Sequence, residues 1–142
     1  MSSQDWLEMA KNYLEAAKLL VANGKIGAPV GLLCWQSFEN SLKALSAPHN
    51  IPETHNLGEI IRHLRDNGVL EKAEITDLKV NACVVTGSHT YNDTRYPEKK
   101  NGLVYWQYMS QTETKDVCNA TEQTYLFTEK KVMSRKVKRV KT

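Results

Sequence analysis

The sequence predicts an all-α protein that folds as a five-helix up-and-down bundle. Apolar residues recur at every third or fourth position along five segments, as in helices with one buried face. Short connections rich in Gly, Pro and Asn separate most of these segments, which favours antiparallel packing of neighbours. No segment has convincing alternation of apolar and polar residues, so no strand is predicted. We predict a bundle over residues 1–133 and a basic tail over residues 134–142.

The first two predicted helices form a hairpin. One covers residues 4–22 and ends at Asn23-Gly24, which tolerate left-handed backbone. Pro29 suits the first turn of the second helix, and Pro48 stops that helix. The predicted inward residues are Trp6, Met9, Ala10, Tyr13, Ala16, Ala17 and Leu20 in the first helix, and Val30, Leu33, Cys34, Phe38, Leu42 and Leu45 in the second.

The third and fourth predicted helices follow a loop with two prolines. Asn56 and Glu59 stand at the spacing of a capping box, and Asn67-Gly68 ends the third helix. The fourth helix is predicted over residues 72–91, with β-branched residues that favour distortion of its last turns. The predicted buried residues are Leu57, Ile60, Ile61 and Leu64 in the third helix, and Ile75, Leu78, Ala82 and Val85 in the fourth.

Residues 97–109 are predicted to form the longest loop. Its second half, residues 103–108, is too apolar for free exposure to water, so we expect it to cover the bundle or an interface. A capping box at residues 110–113 then opens the fifth helix. The predicted helical spacing in that helix is carried by Val117, Ala120, Thr124, Phe127 and Lys131.

Composition excludes several classes of protein. Hydrophobic residues make up 41% and charged residues 25%, an ordinary balance for a globular domain. No apolar run reaches membrane-spanning length, and the N-terminus resembles neither a signal peptide nor a transit peptide. The cysteines, Cys34, Cys83 and Cys118, are odd in number and far apart, which indicates buried free thiols in a reducing cytosol. We therefore predict a cytoplasmic protein that does not enter a membrane.

Positive charge is concentrated at the C-terminal end. Residues 129–142 hold 7 Lys+Arg and 1 acid, whereas residues 1–128 hold 12 Lys+Arg and 15 acids. Such a segment either binds polyanions non-specifically or keeps the terminus solvated, and both interpretations stay open. The candidate polyanion contacts are Arg135, Lys136, Lys138, Arg139 and Lys141.

The pair Arg95-Tyr96 before Pro97 is the main candidate ligand site. Proline stops a helix at or before the residue that precedes it, so this pair is expected at the end of the fourth helix. There a guanidinium meets the negative end of the helix dipole and can fork onto phosphate or carboxylate. The alternative is that Arg95 caps the helix and Tyr96 packs on the core.

A metal or cofactor is not expected. His55, Glu59 and His63 are spaced by four residues, but His55 precedes the helix cap, and no cysteine or second carboxylate joins that face. Gly-rich phosphate loops and nucleophile motifs are also missing from the sequence.

Three motifs together resemble the HEPN family of helical domains. The first is the second-helix stretch of residues 35–45 (WQSFENSLKAL). The second is Thr54-His55-Asn56-Leu57, which resembles the family's entry into its third helix. The third covers residues 91–97 (YNDTRYP), which resembles the family's close of the fourth helix. The order and spacing agree across about residues 5–133.

The resemblance implies a cytoplasmic homodimer that binds nucleotide or nucleic acid. It also implies a nucleotidyltransferase partner in a two-component, toxin–antitoxin-like system. We expect Lys43 and Arg95 to contact phosphate, with Asp93 orienting Arg95 through a bidentate pair. The remaining expected contacts are His55 as a hydrogen-bond donor and Tyr91 and Tyr96 as packing or stacking residues.

Two rival functions remain open. Some family members are metal-independent ribonucleases that carry an Arg followed by a His on the fourth helix. This chain has the reverse order, His89 before Arg95, so we expect no cleavage. In the ribonuclease alternative His89 acts as general acid or base, and Arg95 stabilises charge on the phosphorane. The third possibility is a structural dimeric interaction protein whose interface is residues 103–109.

Overall fold

The computed structural model describes residues 1–47, 49–87, 98–100, 103–105 and 109–141, with backbone alone for 98–100, 103–105 and 136–141. Five helices account for most of these residues, so the predicted all-α, five-helix fold is confirmed. The described residues also include a short two-stranded sheet. The elements are α1 (Ser3–Ala22), α2 (Ala28–Ser46), α3 (Leu57–Asp66), α4 (Lys72–Thr86), β1 (Glu98–Lys100), β2 (Leu103–Tyr105) and α5 (Gln111–Lys141).

Helix α2 lies at the centre of the bundle and contacts each of the other four helices. Most of its residues are buried, including polar ones. Ser37 Oγ donates to the Ala10 carbonyl of α1 at 2.7 Å, and Ser41 Oγ donates to the Ser37 carbonyl at 2.9 Å. Ser46 Oγ donates to the Leu42 carbonyl at 3.1 Å. These bonds offset the cost of burying the hydroxyls, so a polar helix face can lie in the interior.

The buried faces of α3 and α4 are those predicted, because each of these helices packs on one side only. All eight predicted residues are buried, with the α3 set at 0–1% exposure. In α1 the buried residues are Leu7, Ala10, Leu14 and Ala17, so the predicted stripe is displaced by about one position. Helix α1 contacts both α2 and α5, and its buried face points between them. Trp6, Met9 and Tyr13 are consequently only half-buried.

Polar caps fix the starts of the helices where the sequence predicts them. The Asn56 side chain accepts a hydrogen bond from the Glu59 amide at 3.0 Å, and Ser110 Oγ accepts one from the Glu113 amide at 3.0 Å. Ser2 forms a complete capping box with Asp5, so α1 begins one residue earlier than predicted. Each of these bonds satisfies an amide that has no partner within its own helix.

Two predictions about this part of the chain are wrong: the position at which the fourth helix ends, and the expectation that there is no strand. Helix α4 ends at Thr86 instead of residue 91, because Gly87 caps it with φ of 46°, in the left-handed region. Within the predicted loop of residues 97–109, β1 and β2 pair antiparallel, with Glu98 opposite Tyr105. The sequence between the strands is Asn101-Gly102, the pair that most strongly favours a hairpin.

The cysteines are free, as predicted, but they are not all buried. Cys34 and Cys118 lie in the core, whereas Cys83 is exposed on α4. Among the described residues no helix combines the length and the apolar character needed to cross a membrane.

Candidate functional site

A buried carboxylate, Glu39, holds two basic side chains through its two oxygens. Lys43 Nζ donates to Glu39 Oε2 at 3.0 Å, and His55 Nδ1 donates to Glu39 Oε1 at 2.9 Å. The side chains of Glu39 and Lys43 are 4% and 10% exposed, whereas that of His55 is 54% exposed. We call these three residues the Glu39 cluster. It extends from the interior at Lys43 to the surface at His55.

The local sequence explains the geometry of the Glu39 cluster. Glu39 and Lys43 are four residues apart on α2, with the acid nearer the N-terminus, which is the favourable order for an ion pair on a helix. His55 comes immediately before Asn56, the N-cap of α3. Its backbone is fixed as well, because Trp35 Nε1 donates to the His55 carbonyl at 3.0 Å. The loop before α3 therefore brings His55 to α2.

Helix α1 covers the cluster from a second side. Lys43 Nζ lies 5.2 Å from the centroid of the Trp6 ring, within the range of a cation–π contact. The ammonium thus has an aromatic face on one side and a carboxylate on another. Trp6 Nε1 is itself buried and has no hydrogen-bond partner among the described residues. Lys43 therefore contacts α1 through Trp6 and α2 through Glu39, and Glu39 in turn binds the loop that carries His55.

The protonation state of His55 determines the charge of the cluster. The Glu39 carboxylate and the Lys43 ammonium neutralise one another, so a neutral imidazole leaves no net charge. Since Nδ1 donates to Glu39, a neutral imidazole has Nε2 as an acceptor, and a protonated one has two N–H donors. Protonation therefore adds one positive charge at the exposed end. The cluster then has the charge and the donor that an anion requires.

A family model described as HEPN domain matches residues 3–131. The chain belongs to the HEPN family. Two solved structures have similar folds. One is TT1696 from Thermus thermophilus, with a TM-score of 0.69, 22% identity, and coverage of 91% of this chain and 97% of that one. The other is ST0689, an archaeal HEPN homologue, with a TM-score of 0.64, 18% identity, and coverage of 93% and 98%. No curated protein matches the sequence.

Two of the predicted site residues of this HEPN domain bind the same carboxylate in the structure. Lys43 and His55 come from separate motifs, and both bind Glu39. Glu39 lies within the first motif but was not predicted as a site residue. Its spacing of four from Lys43 was the available signal. The remaining predicted residues of the nucleotide site and of the ribonuclease alternative lie outside the described residues: His89, Tyr91, Asp93, Arg95 and Tyr96.

Arg135, a predicted polyanion contact, binds the HEPN bundle itself. Its Nη1 donates to the Leu45 carbonyl at 3.1 Å, in the last turn of α2. Carbonyls at a helix C-terminus lack partners within the helix and carry partial negative charge, which favours a cation there. The α5 backbone continues as a helix from Arg135 to Lys141. The side chains of the other predicted contacts, Lys136, Lys138, Arg139 and Lys141, lie outside the described residues.

Proposed function

We propose that this HEPN domain binds the phosphate of a nucleotide or nucleic acid beside His55, as a binding partner and without catalysis. The observation that supports this proposal best is the doubly engaged Glu39 carboxylate. Both of its oxygens are occupied, so it fixes the position of His55 while most of the imidazole stays exposed. A donor held in advance loses little freedom when a ligand binds, which favours affinity.

The burial of the Glu39–Lys43 ion pair is not explained by stability alone. Bringing Glu39 and Lys43 out of water costs free energy that their attraction only partly offsets, and apolar residues of similar size are often as stabilising. A role in positioning His55 would explain why the pair is buried. In this proposal Lys43 neutralises the Glu39 carboxylate, and Glu39 sets the orientation of His55. His55 donates a hydrogen bond to a phosphate oxygen.

The rest of the proposed site comes from the third HEPN motif. Arg95 forks onto the phosphate, and Asp93 orients the guanidinium. Tyr91 and Tyr96 pack or stack beside the base. Residues 136–141 add non-specific attraction for a polyanion, whereas Arg135 contributes less because it already binds α2. A homodimer and a nucleotidyltransferase partner, in the cytoplasm, belong to the same proposal through the family resemblance.

Calorimetric titration with mononucleotides and a short RNA tests the proposal. We expect Arg95→Ala and His55→Gln each to weaken binding by about 1.5–3 kcal/mol, typical of a lost charge-assisted hydrogen bond. His49→Gln is the matched control, because His49 is another exposed histidine of the same loop. Unchanged titrations of both variants, with normal melting curves, would contradict the proposal.

The ribonuclease alternative has a separate test. We expect no cleavage of RNA by the purified protein without added metal. Cleavage that disappears in His89→Ala but persists in His49→Gln would replace the binding proposal with an enzymatic one.

A further inference from the structure

We propose that the groove between α4 and α5 binds a linear aliphatic polyamine, a chain of methylenes that carries ammonium groups. The groove has a volume of about 390 Å³, which falls in the range of small-molecule sites. Helix α4 contributes Asp77, Leu78 and Asn81 to its lining, and α5 contributes Gln123 and Phe127. None of these residues belongs to the Glu39 cluster, so this site is independent of the proposed phosphate site.

Two contacts fix the sides of the groove relative to each other. At one end, Lys131 Nζ of α5 binds Glu74 Oε2 of α4 at 2.6 Å. At the other end, Asn81 Nδ2 of α4 donates to Thr124 Oγ1 of α5 at 3.3 Å. The two α4 residues are seven positions apart, so the groove between these contacts is about 10 Å long. A site held at both ends is formed before its ligand arrives, which favours binding.

Lys131 shows which chemistry this surface accepts. Its ammonium binds the Glu74 carboxylate and lies 5.9 Å from the centroid of the Phe127 ring, within the range of a cation–π contact. One alkylammonium group of the chain itself is therefore held by a carboxylate and an aromatic ring at the end of the groove. A ligand amine offers the same chemistry.

Asp77 provides a carboxylate for a ligand ammonium. It comes three residues after Glu74 on α4 and lines the groove. Unlike that of Glu74, its carboxylate forms no ion pair or hydrogen bond with any residue that the structure describes. Four residues further on, about 6 Å along the helix, Asn81 uses its amide nitrogen on Thr124 and keeps its amide oxygen as an acceptor for a second ammonium.

The rest of the lining favours an organic cation over a metal ion. Leu78, Val80 and Phe127 line the groove with apolar surface, which suits the methylenes of a polyamine. A metal ion needs several rigidly held ligands, and the described residues include no group of three His, Cys, Asp or Glu side chains placed for one. Among the described residues that line the groove there is no Lys or Arg to compete for Asp77.

The groove between α1 and α5 is an internal comparison. It is lined by the carboxylates of Glu8, Glu15 and Glu129, so it is also acidic. Most of its lining is polar, and it contains a cation of its own, Lys11, at 4.0 Å from Glu15. If negative charge alone attracted polyamines, this groove would bind them as well. If a free carboxylate beside apolar surface is required, only the α4–α5 groove binds them.

Titration of the full, isotope-labelled chain with spermidine, followed in two-dimensional amide NMR spectra, tests the polyamine site. We expect saturable shifts of amide signals in residues 74–81 and 123–127, and none in residues 4–15. Asp77→Asn should weaken binding about fivefold, as for one ion pair that is open to water. Asp116→Asn is the matched control and should leave binding unchanged, because it removes the same charge from an exposed position of α5 outside the groove lining.

An uncharged diol of similar length and magnesium chloride at matched ionic strength are the control ligands, and neither should give saturable shifts in the groove. Equal weakening in the two aspartate variants would mean that spermidine responds to net charge alone. Saturable shifts in both grooves, or with magnesium, would mean that the acidic surface attracts any cation. Each of these results, or the lack of any saturable shift with spermidine, would overturn the inference. The same spectra show whether each variant is folded.

Discussion

Glu39 and Glu74 are two carboxylates that each bind one lysine and one further donor, in different surroundings. Glu39 Oε2 binds Lys43 at 3.0 Å and its other oxygen binds His55, whereas Glu74 Oε2 binds Lys131 at 2.6 Å and its other oxygen accepts the Glu71 amide. The Glu39 and Lys43 side chains are 4% and 10% exposed, and those of Glu74 and Lys131 are 18% and 37% exposed. The number of hydrogen bonds is similar, but the access of water is not.

The difference separates a structural pair from a candidate functional one. Glu74 belongs to the capping box that begins α4, and its bond to Lys131 joins α4 to α5, so its contacts explain its presence. Glu39 begins no helix and lies in the middle of α2. A buried ion pair is weak support for stability by itself, yet removal of one partner is strongly destabilising. The comparison therefore predicts unequal losses of stability when one member of each pair is replaced.

The largest effect is expected from Lys43→Met. This change leaves the Glu39 carboxylate buried with only the half-exposed His55, and we expect a loss of about 3–5 kcal/mol in the free energy of unfolding. Urea denaturation at neutral pH measures it. The double variant Glu39→Gln/Lys43→Met should recover most of the loss, because no buried charge remains. A loss below about 1 kcal/mol in the single variant would show that water reaches Glu39, and the contrast with Glu74 would fail.

A smaller effect is expected from Arg135→Ala, which removes a charge from a neutral acceptor. The Leu45 carbonyl loses the Nη1 donor at the C-terminal end of α2, and we expect a cost of about 1 kcal/mol in unfolding free energy. Lys136→Ala is the neighbouring control and should change stability by less than about 0.5 kcal/mol. Equal losses in the two variants would mean that net charge, and not the bond to Leu45, is responsible.

Glu74→Gln should cost about 0.5–1 kcal/mol, because water screens the partly exposed Lys131. Burial raises the pKa of Glu74, but the hydrogen bonds from Lys131 and the Glu71 amide outweigh it, so the pKa lies below its usual value. A depressed folded pKa gives stability that is present above the unfolded pKa and is lost as the pH falls through the folded one. The difference in unfolding free energy between the unchanged protein and the Glu74→Gln variant should therefore become smaller in acid. A difference in unfolding free energy that does not change with pH would contradict the lowered pKa of Glu74.

The smallest effect at neutral pH is expected at a third carboxylate, Glu129. It accepts a hydrogen bond of 2.8 Å from the Tyr125 hydroxyl, and burial together with Glu129 raises the pKa of that hydroxyl to about 12. Tyr125→Phe should lower the free energy of unfolding by about 0.5 kcal/mol at pH 7, the lower end of the range for one hydrogen bond. The raised pKa gives stability that is complete below the unfolded value of about 10 and is lost as the pH rises towards 12. Alkaline melting curves should converge with those of the Phe variant.

How much the sequence predicts depends on how many sides of a helix are covered. The buried residues of α3 and α4 follow from periodicity, because each helix has one apolar stripe. Helix α2 is covered on all sides, so its buried polar residues carry no periodic signal. For that reason the sequence did not predict Glu39 as a site residue, because a charged residue is expected to be exposed until its partners are known. The hairpin and the early end of α4 had local signals, in Asn101-Gly102 and in Gly87.

For the site, sequence motifs identified Lys43 and His55 but not what joins them. The two residues are 12 positions apart, and only the packing of the loop before α3 against α2 brings both to Glu39. The ring of Trp6 over Lys43 depends in the same way on how α1 crosses α2. Contacts between distant segments follow from tertiary packing, which periodicity along a single helix does not report.

The central position of α2 has a consequence for the order in which the chain is made. Amide protons of α2 should exchange with solvent most slowly, through opening of the whole bundle, because all four other helices cover it. One of these four helices is α5, residues 111–141, which leaves the ribosome after the other helices of the bundle. Until they emerge, the nascent chain keeps part of the apolar surface of α2 uncovered. A ribosome-bound chain stalled before residue 111 should therefore bind chaperones more strongly than the complete bundle.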